Sequence, residues 1–186
     1  MAAARYDSGR LIVSLNIPMI SLRDTRFPFL LGSSFSLALV GFGVVLAQTM
    51  GLAACPLCIW QRIMYLLIGL FGLGGLLCAR IRFLRTLFAL LMTAAAGTGA
   101  GIAGYQVWIQ RFAPMTSCAG KEPWWEAFVR WAGEQVPMLF KASGLCSDPA
   151  WKFLDLSIAD WSLLCFCGLF VLSIFAALQK QGRKKR

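Results

Sequence analysis

Apolar residues gather in four long blocks along this chain, at about 29–51, 59–79, 84–109 and 161–178, parted by short polar links and one long one. Each block is close to or above the roughly 20 residues that a helix needs to cross bilayer hydrocarbon. Only Arg62 sets a charge well inside any of them. The pattern predicts an all-α membrane protein, a bundle of four transmembrane helices. A fifth apolar rhythm lies in the long link, within "EPWWEAFVRWAGEQVPMLF". There Trp124, Phe128 and Trp131 recur at helical spacing, while Glu126, Arg130 and Glu134 take other faces. This predicts a short amphipathic helix lying in the membrane interface, ended or kinked by Pro137.

Composition agrees: of 186 residues 59% are hydrophobic and 14% charged. A soluble domain of this length could not hide so much apolar surface. Charge then orients the bundle. Arg5, Arg10, Arg23 and Arg26 precede the first block. Arg80, Arg82 and Arg85 lie about the link between the second and third. Lys180, Arg183, Lys184, Lys185 and Arg186 close the chain. Lys and Arg concentrate on cytoplasmic segments, so residues 1–28 and 180–186 read as cytoplasmic tails. The links at about 52–58 and 110–160 then face outward. Before its last residue, Asp160, that second outer link balances five basic residues against five acids (Glu122, Glu126, Glu134, Asp148 and Asp155). The net charge of +10 is a topology signal, with some contact to anionic lipid head groups, and nucleic-acid binding explains it poorly. Residues 1–28 are basic but lack a sustained apolar core followed by a small-residue cleavage site.

Orientation sorts the seven cysteines. Cys78, Cys165 and Cys167 fall within or at the end of apolar helices, where a free cysteine acts as a small hydrophobe. Cys55, Cys58, Cys118 and Cys146 face an oxidising compartment in which disulfides persist. Adjacency suggests two pairs, Cys55 with Cys58 and Cys118 with Cys146. A bridge closing about 29 residues would stabilise the fold by roughly 3.5 kcal/mol, so the second pair could be a staple. The first pair closes too short a loop for that. "ACPLCIWQR" also opens a helix, because Pro56 suits a first helical turn and a thiolate gains from the dipole there. Arg62, one turn beyond Cys58 on the same face, is either a snorkelling anchor or a functional cation able to hold a thiolate and to meet a polar head group entering from the lipid. Zinc is a weaker reading. The chain has no histidine, and two thiolates do not complete a tetrahedral site. No βαβ pattern surrounds the pair, which excludes a soluble thioredoxin-like domain.

"GAGIAG", Gly99 to Gly104, matches a dinucleotide fingerprint in spelling only, since no strand precedes it. Within an apolar helix such residues let neighbours pack closely, or leave room for a flat ligand.

Three stretches, in order and at matching topological places, carry a family resemblance over the chain beyond its N-terminal tail. They are "CPLCIWQR", "YQVWIQRFAPMTSC" and "ASGLCSDPAWKFLDLSIADW". The chain resembles the DsbB family, bacterial inner-membrane proteins that re-oxidise the periplasmic disulfide donor DsbA. The resemblance implies that reduced DsbA attacks a Cys118–Cys146 disulfide at Cys118. Cys146 then exchanges with Cys55, and Cys58 near Arg62 passes the electrons to a quinone, ubiquinone or menaquinone. Magnitudes favour such an acceptor. DsbA sits near −120 mV and structural disulfides near or below about −300 mV, so an ordinary dithiol could not re-oxidise it. Two departures bear on the pocket. Gln61 stands where many relatives have an acid, and Val107 takes the place at which some have a histidine. Hydrogen bonds to the quinone then fall to Arg62, Gln61 or Gln106. Rivals are a DsbI-like paralogue serving one dedicated thioredoxin-like partner, the vitamin K epoxide reductase group, a non-enzymatic metal carrier using the outer thiols, and an inert stapled protein. In the vitamin K group the Cys-x-x-Cys opens the last span, which counts against it.

Overall fold

A computed structural model describes residues 24–112, 123–147 and 151–179. In chain order it holds α1 (Phe27–Thr49), α2 (Pro56–Leu77), α3 (Arg82–Phe112), α4 (Trp124–Gln135), α5 (Pro137–Phe140), a two-stranded hairpin of β1 (Lys152–Phe153) and β2 (Leu156–Ser157), and α6 (Ile158–Leu178). Among the described residues α1, α2, α3 and α6 are the helices long and apolar enough to cross a membrane. The expected four-helix bundle stands. The flanking tails at 1–23 and 180–186, which hold most of the expected cytoplasmic cations, lie outside the described residues.

Packing centres on α3, which runs along both α2 and α6, while α1 lies against α2 and touches α6 more lightly. Phe29, Ile68, Ala89, Met92, Ala96, Phe166 and Leu169 meet inside. Phe42, Leu70, Phe83, Val171 and Phe175 point outward and stay exposed. Lipid tails are as apolar as leucine, so a membrane helix has no need to hide such residues. What it needs is close fit. A Cβ on Gly75 would fall on the ring of Phe29, and one on Gly99 would fall on the ring of Phe166. That ring stacks on Tyr65 at 4.0 Å and 7°. The space beside Gly99 thus belongs to the chain's own Phe166.

The ends of the elements explain how the site is held. Gly51, at φ +63, ends α1, and Leu52 N–H returns to Ala47 O at 2.9 Å, a glycine-terminated helix end. Cys55 is the N-cap of α2, with Pro56 next. Ser157 caps α6 through a reciprocal box with Asp160, so α6 begins three residues before the apolar block predicts. The hairpin turns at Leu154 (φ 54) and Asp155 (φ 61), and Arg111 pairs with Asp160 at 2.6 Å, joining the end of α3 to the start of α6. Arg85, expected beside the polar link, is instead in α3 and buried, and it donates to Gln179 O, the C-cap carbonyl of α6, at 2.9 Å. A cation is favoured at that end of a helix.

Candidate active site

The first-turn reading of Cys-x-x-Cys holds in detail. The Cys55 side chain accepts from Cys58 N–H at 3.3 Å, and the two Sγ atoms lie 2.8 Å apart. Cys55 is buried and Cys58 half-buried; both are thiols here. The third sulfur comes from the far side of the sequence. Cys146 Sγ is in hydrogen-bond contact with Cys55 Sγ, and Leu57 N–H, at the start of α2, is directed at Cys146. The three sulfurs form a row, Cys146–Cys55–Cys58.

Charge is unequal along that row. The Cys55 hydrogen bond holds the Cys146 thiol below its ordinary value, against partial burial and the nearby Glu126 carboxylate, which push it up. Cys55, hydrogen-bonded to Cys146 and to Cys58 and buried as well, is pushed well above the ordinary thiol range. The middle sulfur therefore keeps its proton longest, and Cys146 is a better thiolate than a free cysteine.

Gln106, on α3, is the polar partner of the pair. Its Nε2 donates to Cys58 Sγ at 3.2 Å and to Cys55 Sγ at 3.3 Å. Gln61 Nε2 donates to Gln106 Oε1 at 2.7 Å and thereby turns the amide N–H groups toward sulfur. Both glutamines are buried. Arg62 is aimed elsewhere: NH1 donates to Leu139 O of α5 at 2.9 Å, and NH2 to Gly43 O of α1 at 3.5 Å. The donor on Cys58 is thus Gln106, whereas the sequence pointed to Arg62.

Beside the row opens a cavity of about 530 Å³ among α1, α2, α3 and α6. Its wall is mainly apolar, from Leu39, Phe42, Leu46, Trp161 and neighbours, with Cys55, Cys58, Gln61, Arg62 and Gln106 on one side. This is the size and lining of a small-molecule site, apolar with a few convergent polar groups. Val107 is not on that wall. The sequence reading missed Gln110, Tyr65, Ser162 and Cys165, all of which line it. Gln110 had a signal, lying one helical turn beyond Gln106. Cys165 had none, as a thiol in an apolar block. Cys118 falls outside the described residues, and with it the expected Cys118–Cys146 pairing.

The outer segment buries Val129 and Ala132, packs α4 mainly on α5 and also on α2, and is tied to α2 by Trp60 Nε1–H, which reaches Trp125 O at 3.4 Å. Trp124, Phe128 and Trp131 remain exposed on one face of α4, with Trp60 against the first two.

Comparison with known proteins agrees with this arrangement. The family model described as "Disulfide bond formation protein DsbB" matches residues 25–176. A Disulfide bond formation protein B from Dechloromonas aromatica (strain RCB) is 38% identical over 149 residues, 77% of this chain and 87% of that protein. Proteins of the same name from Nitrosospira multiformis and Nitrosomonas europaea are 34% and 37% identical, over 90% and 85% of this chain and 98% and 94% of their own lengths. With its thiol row at one end of a four-helix bundle, the chain belongs to the DsbB family of membrane thiol oxidoreductases that form disulfide bonds.

Proposed function

We propose that the protein re-oxidises a periplasmic DsbA-type thiol oxidase and delivers the electrons to a quinone of the bacterial inner membrane. The observation that carries this reading is the row Cys146–Cys55–Cys58, which ends on the wall of an apolar cavity. Row and cavity together offer a path from a water-soluble dithiol to a lipid-soluble acceptor.

The exchange steps balance as follows. A thiolate of the reduced partner attacks Cys118 of a Cys118–Cys146 disulfide; a mixed disulfide forms and Cys146 leaves as thiolate. Cys146 attacks Cys55 of a Cys55–Cys58 disulfide, and Cys58 leaves as thiolate. The partner's second thiol resolves the mixed disulfide, freeing Cys118. Cys118 then recovers Cys146 and frees Cys55. The net result is an oxidised partner and a reduced Cys55–Cys58 pair. The lowered Cys146 thiol suits both its departure and its attack, since a low-pKa thiol leaves faster and is more fully ionised.

A quinone fits the cavity by volume, by its apolar walls and by the polar groups at the sulfur side. It would supply an acceptor for the two electrons and two protons left on the inner pair. Arg62, Gln61 and Gln106 are the residues we assign to its polar head. The exposed Trp124, Phe128 and Trp131 suit a place among head groups, so α4 is read as the interfacial helix.

The test follows quinone absorbance with purified protein in detergent, excess quinone and a reduced DsbA-type partner. Catalytic loss of oxidised quinone is expected, abolished in both Cys58→Ser and Cys118→Ser. Turnover retained in either variant would sink the relay. Arg62→Ala should raise the KM for quinone more than it lowers kcat.

A further inference from the structure

We infer that Gly144 and the Ala53–Ala54 backbone form a latch that sets Cys146 against Cys55, which makes Gly144 a positioning residue for exchange between the two outer cysteine pairs. The inference rests on the relay proposed above for its purpose, but its geometry stands apart from quinone chemistry.

Nothing covalent joins the α1–α2 link to the segment around Cys146 among the described residues; hydrogen bonds do so. Ser143 N–H and Gly144 N–H both donate to Ala54 O, at 2.9 and 3.0 Å. Ala54 immediately precedes Cys55, and Gly144 lies two residues before Cys146. The latch is therefore within two residues of each sulfur it brings together. Two further straps flank it: Arg62 holds Leu139 O at 2.9 Å, and Gln110 Nε2 reaches Cys146 O at 3.5 Å.

The glycine is required for space. Among the described residues Gly51 has a positive φ and Gly144 does not, so the backbone at 144 admits a side chain. The neighbour does not. A Cβ on Gly144 would fall on the Ala53 carbonyl oxygen, with the Ala53 carbonyl carbon at 3.0 Å and the Ala53 Cβ at 3.3 Å. Backbone cannot swing aside as a flexible side chain can. Any larger residue must lift the 143–146 segment off the link, and Cys146 with it.

The experiment reads sulfur proximity directly. In the full chain carrying Cys58→Ser, Cys118→Ser, Cys78→Ala, Cys165→Ala and Cys167→Ala, Cys55 and Cys146 remain, and diamide-driven formation of the Cys55–Cys146 disulfide is followed by peptide mapping. Adding Gly144→Ala should slow it about tenfold to a hundredfold, the penalty expected for displacing reacting atoms by about 1 Å. Gly101→Ala, at a site with nothing within 4 Å of the new Cβ, should leave the rate unchanged. Cross-linking in Gly144→Ala at the Gly101→Ala rate overturns the latch. A measurement without substitution guards against misfolding. The Ser143 and Gly144 amides of the unaltered protein should exchange slowly with deuterium, and exchange at open-loop rates would equally overturn the proposal. Quinone turnover absent from the unaltered protein, with cross-linking still dependent on Gly144, would remove the relay and keep the latch.

Discussion

At the scale of single residues, the site sets two touching sulfurs apart in proton affinity, Cys55 raised and Cys146 lowered. Cys146 is lowered because Cys55 donates to it, which gives a direct check. In the reduced protein, iodoacetamide should alkylate Cys146 with a pH midpoint below that of a free cysteine, because the folded site favours the thiolate. Cys55→Ala removes the first cause and should move that midpoint upward, leaving burial and Glu126 to act unopposed by the lost donor. An unmoved midpoint would mean that the Leu57 N–H, not Cys55, sets it. Gln106 makes a second case. In the proposed relay Cys58 leaves as a thiolate, and a donor 3.2 Å from its sulfur would stabilise the charge that develops there. A hydrogen bond to a charged group is worth roughly 1.5–3 kcal/mol, so Gln106→Leu should lower kcat about tenfold to a hundredfold, with fold and partner binding kept. The pairing of Cys55 with Cys58 was legible in the sequence because it is local, set by one helix start, whereas Arg62, expected on Cys58, reaches Leu139 and Gly43 instead. The aim of Gln106 at sulfur was not legible, since it depends on how α3 is turned against α2. Gly144 was illegible for another reason: a glycine near a loop cysteine reads as chain punctuation until the carbonyl opposite is known.

At the scale of elements, the seam between α3 and α6 is built on an absent side chain. Phe166 occupies the notch at Gly99 and stacks on Tyr65, whose hydroxyl meets Ser162 Oγ at 3.0 Å. Gly99→Val would push that ring off its shelf. Overpacking of this kind costs roughly 1–3 kcal/mol, so the thermal midpoint in detergent should fall, whereas Gly101→Val on the same helix should not lower it. Equal midpoints for the two variants would mean that the seam repacks freely. The four spans were readable because hydrocarbon thickness imposes one length on all of them. The refined ends were less so. The start of α6 turns on the Ser157–Asp160 box, a three-residue signal that hydropathy ignores, and the hairpin before it needs Leu154 as well as Asp155 at positive φ, a conformation to which Asp is prone but Leu is not.

At the scale of the whole molecule, function depends on which end faces which compartment. The two ends differ in kind. One gathers Cys55, Cys58 and Cys146, the cavity and the aromatic face of α4; the other carries Arg80, Arg82 and the buried Arg85 cap. The positive-inside rule would turn the arginine end to the cytoplasm, and the relay proposed above would ask for the same orientation, because a pair that must stay oxidised cannot face a reducing cytosol. These two arguments are independent, one resting on insertion and the other on redox, so one experiment can test both. Lys152→Cys and Arg82→Cys put new thiols on exposed residues at opposite ends. In intact spheroplasts a membrane-impermeant maleimide should label position 152 at once and position 82 only after permeabilisation. The reverse pattern would set the sulfur row in the cytosol, where neither an oxidised Cys55–Cys58 pair nor a secreted thiol partner could be maintained, and the relay would fall with it.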